Sequence, residues 1–134
     1  MSKPVIILVV DDDYDIRNAI EQCLTATDIQ PTVIKAHNAV TGLQLAKAHI
    51  PDVVVLDLQM PHGSGFDFVT ELKRDPKLSN VKILILSVAA STNNIWHSID
   101  NDVDDFLAKP FDIIELEARV KLLLNKKRAG SGTI

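Results

Sequence analysis

Cysteine, aromatic side chains and long apolar runs are all scarce in this chain. A single cysteine, Cys23, leaves no internal disulfide to form, so a reducing cytoplasm is the expected setting. The longest apolar runs are about six residues, against the ~20 that a membrane-spanning helix needs. Met1-Ser-Lys-Pro leads straight into one such run and then three acids. A secretory leader would have a longer apolar region and a small-residue cleavage site, so secretion is not expected. Positive charge is in deficit too, with 14 Lys and Arg against 18 Asp and Glu, a formal charge of −4. That weighs against a nucleic-acid surface, which needs clustered cations. It leaves protein partners and a bound cation open. The length of 134 residues, 46% of them hydrophobic, is that of one domain able to bury a core without disulfide or metal support.

Four short apolar runs organise that domain: Val5–Val10, Val53–Leu56, Ile83–Leu86 and Phe106–Ala108. The first three are continuous and rich in β-branched residues, the pattern of strands buried on both faces of a parallel sheet. A weaker strand is expected at Thr32–Ala36. Helix-period residues fall between the runs. Ile16, Ile20, Cys23 and Leu24 share one face; Val40, Leu43 and Ala46 a second, capped by Asn38; Phe66, Val69 and Leu72 a third. Ile95 and Ile99 mark a short fourth helix. Ile113, Leu116, Val120, Leu123 and Leu124 mark a fifth, with Asp112 as its N-cap. Strand and helix thus alternate five times, which predicts an α/β fold with helices on both faces of a parallel sheet. Residues 1–128 form the domain, closed by Lys126-Lys-Arg128 in the last helical turn. Residues 129–134 read as a flexible tail or the start of a linker.

The polar residue that follows each run carries the chemistry. Asp11, Asp12 and Asp13 follow the first, Asp57 the third strand, Ser87 the fourth, and Lys109-Pro110 the last. In an open parallel sheet these positions converge outside the carboxyl ends of the strands, where ligands bind. Crowded carboxylates repel, by about 4 kcal/mol per pair at ~4 Å and an effective dielectric near 20. Either some are protonated or a cation sits among them. All-oxygen ligands suit a hard ion, Mg²⁺ or Mn²⁺, and no His–Cys grouping offers a softer site. A metal, a nucleophilic carboxylate, a hydroxyl and an ammonium together suit a phosphoryl group.

At this point the chain resembles a response-regulator receiver domain of the two-component signalling family, over about residues 4–126. The residues that carry the resemblance are Leu8-Val-Val-Asp-Asp-Asp13, Val55-Leu-Asp-Leu-Gln-Met-Pro61 with Gly65, Ile85-Leu-Ser87, and Asp105-Phe-Leu-Ala-Lys-Pro-Phe111. The resemblance implies a doubly wound, flavodoxin-like (β-α)5 fold with strand order 2-1-3-4-5. It implies that Asp57 accepts a phosphoryl group from the phosphohistidine of a sensor histidine kinase or phosphotransfer protein. Mg²⁺ (or Mn²⁺) would be bound by Asp12, by Asp57, by the backbone carbonyl of Gln59, and by Asp11 through water. Ser87 would hydrogen-bond a phosphoryl oxygen. Lys109 would pair with Asp57 and then with the phosphate, and a cis Lys109-Pro110 bond is implied. Phe106 would be the switch aromatic, turning inward as Ser87 moves. The face made by the fourth helix, fifth strand and last helix would then meet a downstream partner, an output domain or a second copy. Direct contact with nucleic acid or membrane is not implied.

Several residues depart from the family pattern. Position 87 is Ser where Thr is commoner, and Val88 replaces a smaller residue. The loop His62-Gly-Ser-Gly65 lacks a usual apolar residue and acid, Asp102 stands where Gly often ends the fourth helix, and Phe106 replaces a Tyr. Other readings weigh less. Asp13 is better explained as an N-cap than as a ligand. His37, His49, His62 and His97 have no ligand partner at suitable spacing and read as surface residues. Cys23 reads as core, and Trp96 is either core or a partner contact. A haloacid-dehalogenase-type phosphatase would need an acid two residues after the nucleophile, where Gln59 stands. A nucleotide or flavin binder would need a Gly- or Ser/Thr-rich loop where the three acids stand. A pseudo-receiver, an interaction module without phosphorylation, would not need the intact set of site residues.

Overall fold

A computed structural model describes residues 4–58, 64–88 and 103–132. Strands β1 (Ile6–Val10), β2 (Thr32–Ala36), β3 (Val53–Asp57), β4 (Lys82–Val88) and β5 (Asp105–Lys109) alternate with helices α1 (Tyr14–Thr25), α2 (Ala39–His49) and α3 (Ser64–Arg74). A C-terminal helix spans Ile113–Gly132. The strands form one parallel sheet in the order β2-β1-β3-β4-β5. This is the doubly wound topology expected from the sequence. The expected fourth helix, with Ile95, Trp96, His97, Ile99 and Asp102, lies outside the described residues, as do Gln59–Gly63.

Alternation along the strands builds two cores. Leu8, Val10, Val54, Leu56, Ile83 and Ile85 face Ala39, Ala46, Phe68, Val69 and Leu72 of α2 and α3. Their neighbours Ile7, Val9, Val53, Val55, Leu84 and Leu86 face Ile20 and Leu24 of α1 and Leu116, Val120, Leu123 and Leu124 of the C-terminal helix. Because both faces of β1, β3 and β4 are covered, these strands need apolar residues at every position, hence the unbroken runs.

Helix starts follow their caps. Asp13 Oδ1 accepts from the amides of Asp15 and Ile16 at 2.9 and 3.2 Å, and Asn38 Oδ1 from Thr41 at 2.7 Å. Asp112 Oδ1 accepts from Ile114 at 2.8 Å. Carboxylates also tie the amino-terminal rim of the sheet. Asp52 Oδ2 accepts from the Ile6 amide at 2.9 Å, and Asp104 Oδ2 from the Ile83 amide at 2.8 Å.

The structure corrects some details. Val40 is 70% exposed. Ala39, Gly42 and Ala46 pack instead, because α2 approaches β1 so closely that a Cβ on Gly42 would lie 2.9 Å from Val10 Cγ2. Ile113 is exposed where a buried position was expected, since the buried stripe starts one turn later at Leu116. Cys23 is half-buried rather than core, its Sγ 3.6 Å from the Ile113 carbonyl between the two helices of that face. Burial pushes its thiol pKa above the ordinary value. The C-terminal helix runs through Gly132 where a tail from Ala129 was expected. No proline interrupts residues 113–132, so the backbone hydrogen bonding can continue through Gly130 and Gly132 although both are poor helix formers.

Candidate functional site

β1 and β3 lie side by side in register, so the acids that follow Val10 and Leu56 come out at the same rim. Asp57 pairs across β3–β4 with Leu86, which places Ser87 one residue further along the neighbouring strand. Ser87 in turn pairs with Ala108, which places Lys109 beyond it on β5. Strand geometry alone thus gathers side chains from across the chain. Asp11, Asp57 and Ser87 are all buried, Asp12 is exposed, and Lys109 is partly covered.

One carboxylate oxygen from each of Asp11, Asp12 and Asp57 lies within 4.8 Å of the others. Lys109 Nζ stands 3.3 Å from Asp57 Oδ2 and 3.5 Å from Asp11 Oδ2. A single ammonium therefore serves two buried carboxylates. Asp11 Oδ1 accepts from the Asp13 amide at 2.9 Å. Its Oδ2, buried, has no hydrogen-bond partner among the described residues. Loss of hydration pushes the Asp11 pKa up from 3.8 to about 6. The Asp13 amide and Lys109 oppose the rise, while Asp57 and Asp12 add to it.

These features fit a hard divalent cation. The donors are carboxylate oxygens, the cluster is over-charged for one lysine, and the buried Asp11 Oδ2 makes no hydrogen bond and has only a share of the Lys109 ammonium, 3.5 Å away. Asp11, Asp12 and Asp57 could hold such an ion. The Gln59 carbonyl falls outside the described residues.

The remaining expected residues are placed as follows. Asp13 caps α1 and is not part of the cluster. Phe106 is 48% exposed on β5, an outward position. The Lys109-Pro110 peptide bond is cis. His37 and His49 are exposed, while His62 lies outside the described residues. The sequence reading passed over Tyr14 and Arg17. Arg17 Nη1 donates to the Asp11 carbonyl at 2.7 Å, and its guanidinium lies 5.7 Å above the centre of the Tyr14 ring. The available signal was spacing, since Arg17 stands one helical turn after the cap Asp13 and so can reach back over the acidic loop.

Comparison with known proteins adds an independent result. Residues 7–121 match the response regulator receiver domain family. This chain belongs to the response-regulator receiver family. It is 31% identical over 132 residues to the response regulator Rre1 of Synechocystis, covering 98% of this chain and 56% of that protein. It is 35% identical over 128 residues to hybrid signal transduction histidine kinase D of Dictyostelium discoideum, covering 96% of this chain but only 8% of the kinase. The receiver thus spans about half or less of these curated relatives. The chemotaxis response regulator CheY4 of Vibrio cholerae superposes with a TM-score of 0.81 at 25% identity, covering 91% of this chain and 100% of that one. The receiver domain of Francisella response regulator 1452 superposes at 0.78 with 31% identity, covering 92% and 98%. A receiver domain is a signalling switch of two-component systems, and the Asp11–Asp12–Asp57 pocket is compatible with Mg²⁺ and phosphorylation. No helix among the described residues is long and apolar enough to cross a membrane.

Proposed function

We propose that Asp57 accepts a phosphoryl group from the phosphohistidine of a sensor histidine kinase or a phosphotransfer protein. One observation carries this reading. Asp57, buried at the end of the central strand, has Lys109 at 3.3 Å and two further carboxylates beside it. A carboxylate oxygen of Asp57 attacks phosphorus, and the phosphorus–nitrogen bond of the donor breaks. The electron pair returns to the imidazole, which takes up a proton, and an aspartyl phosphate is left. Lys109 offsets the charge of the transferring oxygens, and the Ser87 hydroxyl donates to one of them. Bound Mg²⁺ or Mn²⁺ supplies further charge neutralisation at those oxygens. Asp12 and Asp57 would hold the ion together with the Gln59 carbonyl, and Asp11 would do so through water.

The modification adds about −1.5 to −2 charge and new acceptors. Ser87 and Lys109 are drawn toward them, and Phe106 leaves its outward position. The surface made by the expected fourth helix, β5 and the C-terminal helix is reset for a downstream protein, an output domain or a second copy. A shift from 1:99 to 99:1 needs only about 5.5 kcal/mol of differential stabilisation. The domain acts through proteins in the cytoplasm, without itself contacting nucleic acid or membrane.

Incubation with acetyl phosphate and Mg²⁺, read by intact mass and acid lability of the product, tests this. The parent takes up one phosphoryl group and Asp57→Asn takes up none. Equal labelling of the two proteins overturns the assignment.

A further inference from the structure

Asp11 and Asp12 are neighbours in the chain, yet one is buried and the other exposed, and both carboxylates converge on Asp57. Which way each one aims depends on the peptide group between them. That group is not part of a strand ladder, since β1 ends at Val10. It also lies in a field of like charges that pushes the carboxylates apart. Something must hold it.

Two contacts hold its flanks and a third holds the group itself. The Asp11 amide donates to the Ala36 carbonyl at 3.1 Å, and the Asp13 amide donates to Asp11 Oδ1 at 2.9 Å. The third is Arg17, whose Nη1 donates to the Asp11 carbonyl, an atom of that very peptide group, at 2.7 Å. This bond is charge-assisted, and so stronger than the amide-to-carbonyl contact with Ala36. Arg17 is itself anchored. Its backbone amide donates to the Asp13 carbonyl at 3.1 Å in the first turn of α1, and the Tyr14 ring lies beneath its guanidinium. Tyr14 is 67% exposed, so packing against the core does not explain an aromatic at this place. Stacking on Arg17 does.

We propose that Arg17 is the positioning residue of the phosphoryl-accepting centre. It fixes the peptide between Asp11 and Asp12, and so the aim of both carboxylates toward a divalent ion, while Tyr14 holds its guanidinium in place. This rests on the functional reading above and extends it to residues that touch neither ion nor phosphate. Because the guanidinium meets a carbonyl, it steadies the cluster without competing for the carboxylates.

Arg17→Met keeps much of the stem and loses the donor. Arg17→Lys keeps a donor with poorer geometry. Arg74→Met, which removes an exposed arginine on α3, controls for net charge. In the metal-free protein, hydrogen exchange at the Asp13 amide should rise at least fivefold in Arg17→Met. Amides of β3 should be unchanged. By calorimetric titration, Mg²⁺ affinity should fall about five- to tenfold in Arg17→Met, less in Arg17→Lys and Tyr14→Leu, and not in Arg74→Met. Saturating Mg²⁺ should restore labelling by acetyl phosphate. If Asp13 exchange in Arg17→Met stays within twofold of the parent, the positioning role is wrong. The same holds if exchange rises but Mg²⁺ affinity does not fall. A parent that neither binds Mg²⁺ nor labels, with a loop that still loosens in Arg17→Met, overturns the phosphoryl reading and with it the role toward the ion. The loop-fixing contact would stand.

Discussion

The ammonium of Lys109 lies 3.3 Å from the Asp57 carboxylate, across the β4 strand end that separates β3 from β5. Its removal leaves Asp57 and Asp11 buried without that cation, and breaking a buried pair is costly. We expect Lys109→Met to lose about 2–4 kcal/mol of stability at pH 7 without metal, read by urea unfolding. Part of the loss should return at pH 5, as Asp11 takes up a proton. Labelling at saturating Mg²⁺ should slow about a hundredfold. Unchanged stability at pH 7 would show that the contact carries no energy.

Asp11 gives a pH dependence of definite sign. Its pKa is raised in the folded state, from 3.8 to about 6. The folded chain therefore holds this proton more tightly than the unfolded chain. The stabilisation is present below pH 4 and is lost as pH rises toward 6. A displacement of about two units corresponds to up to about 3 kcal/mol. Comparing unfolding free energies of the parent and Asp11→Asn from pH 3.5 to 7, without metal, isolates this contribution. The variant should gain on the parent as pH rises through this window. A constant difference between them would refute the assignment.

At Gly65 the constraint is space. A Cβ there would lie 3.0 Å from Leu58 Cδ2 and 3.1 Å from Leu58 Cα. Since Leu58 follows Asp57 directly, its backbone cannot move without disturbing Asp57. Gly65→Ala should cost about 1–3 kcal/mol and slow labelling, because α3 must shift away from that backbone. Thermal unfolding and labelling rates measure the two effects, and an alanine variant with parental values for both would rule out the close approach.

Far from the site, Ile50 ends α2 at φ 49°, ψ 71°. A β-branched residue is strained in the left-handed region, whereas Asn is tolerated. Ile50 is 47% exposed, so little burial is forfeited. Ile50→Asn should raise stability by about 0.5–1 kcal/mol and leave labelling unchanged. A destabilised variant would mean that the side chain contributes more by packing than its backbone costs.

The legible parts of the sequence were those set by strand periodicity. Continuous apolar runs exist because both faces of the central strands are covered, and the polar residue ending each run is placed by the parallel register. Asp11, Asp57, Ser87 and Lys109 were therefore readable before any coordinates. What was hidden depends on distances between elements. Val40 fits a helical stripe, but the close approach of α2 to Val10 selects the small residues Ala39, Gly42 and Ala46 instead. Phe68 is buried in the core, though the stripe read from Phe66, Val69 and Leu72 skipped it. For Arg17 the spacing from Asp13 shows reach but not a partner, because the partner is a backbone carbonyl and no side-chain pattern marks which carbonyl takes a donor.

Every residue of β3 is buried, and its side chains alternate between the two cores, Val54 and Leu56 into one, Val53 and Val55 into the other. Position 57 is thus set at the end of a strand clamped on both faces, like a workpiece in a vice. We expect a charge deposited there to leave Asp57 where it is and to deform the margin instead. That margin is β5, the edge strand that carries Lys109, in which only Leu107 is buried.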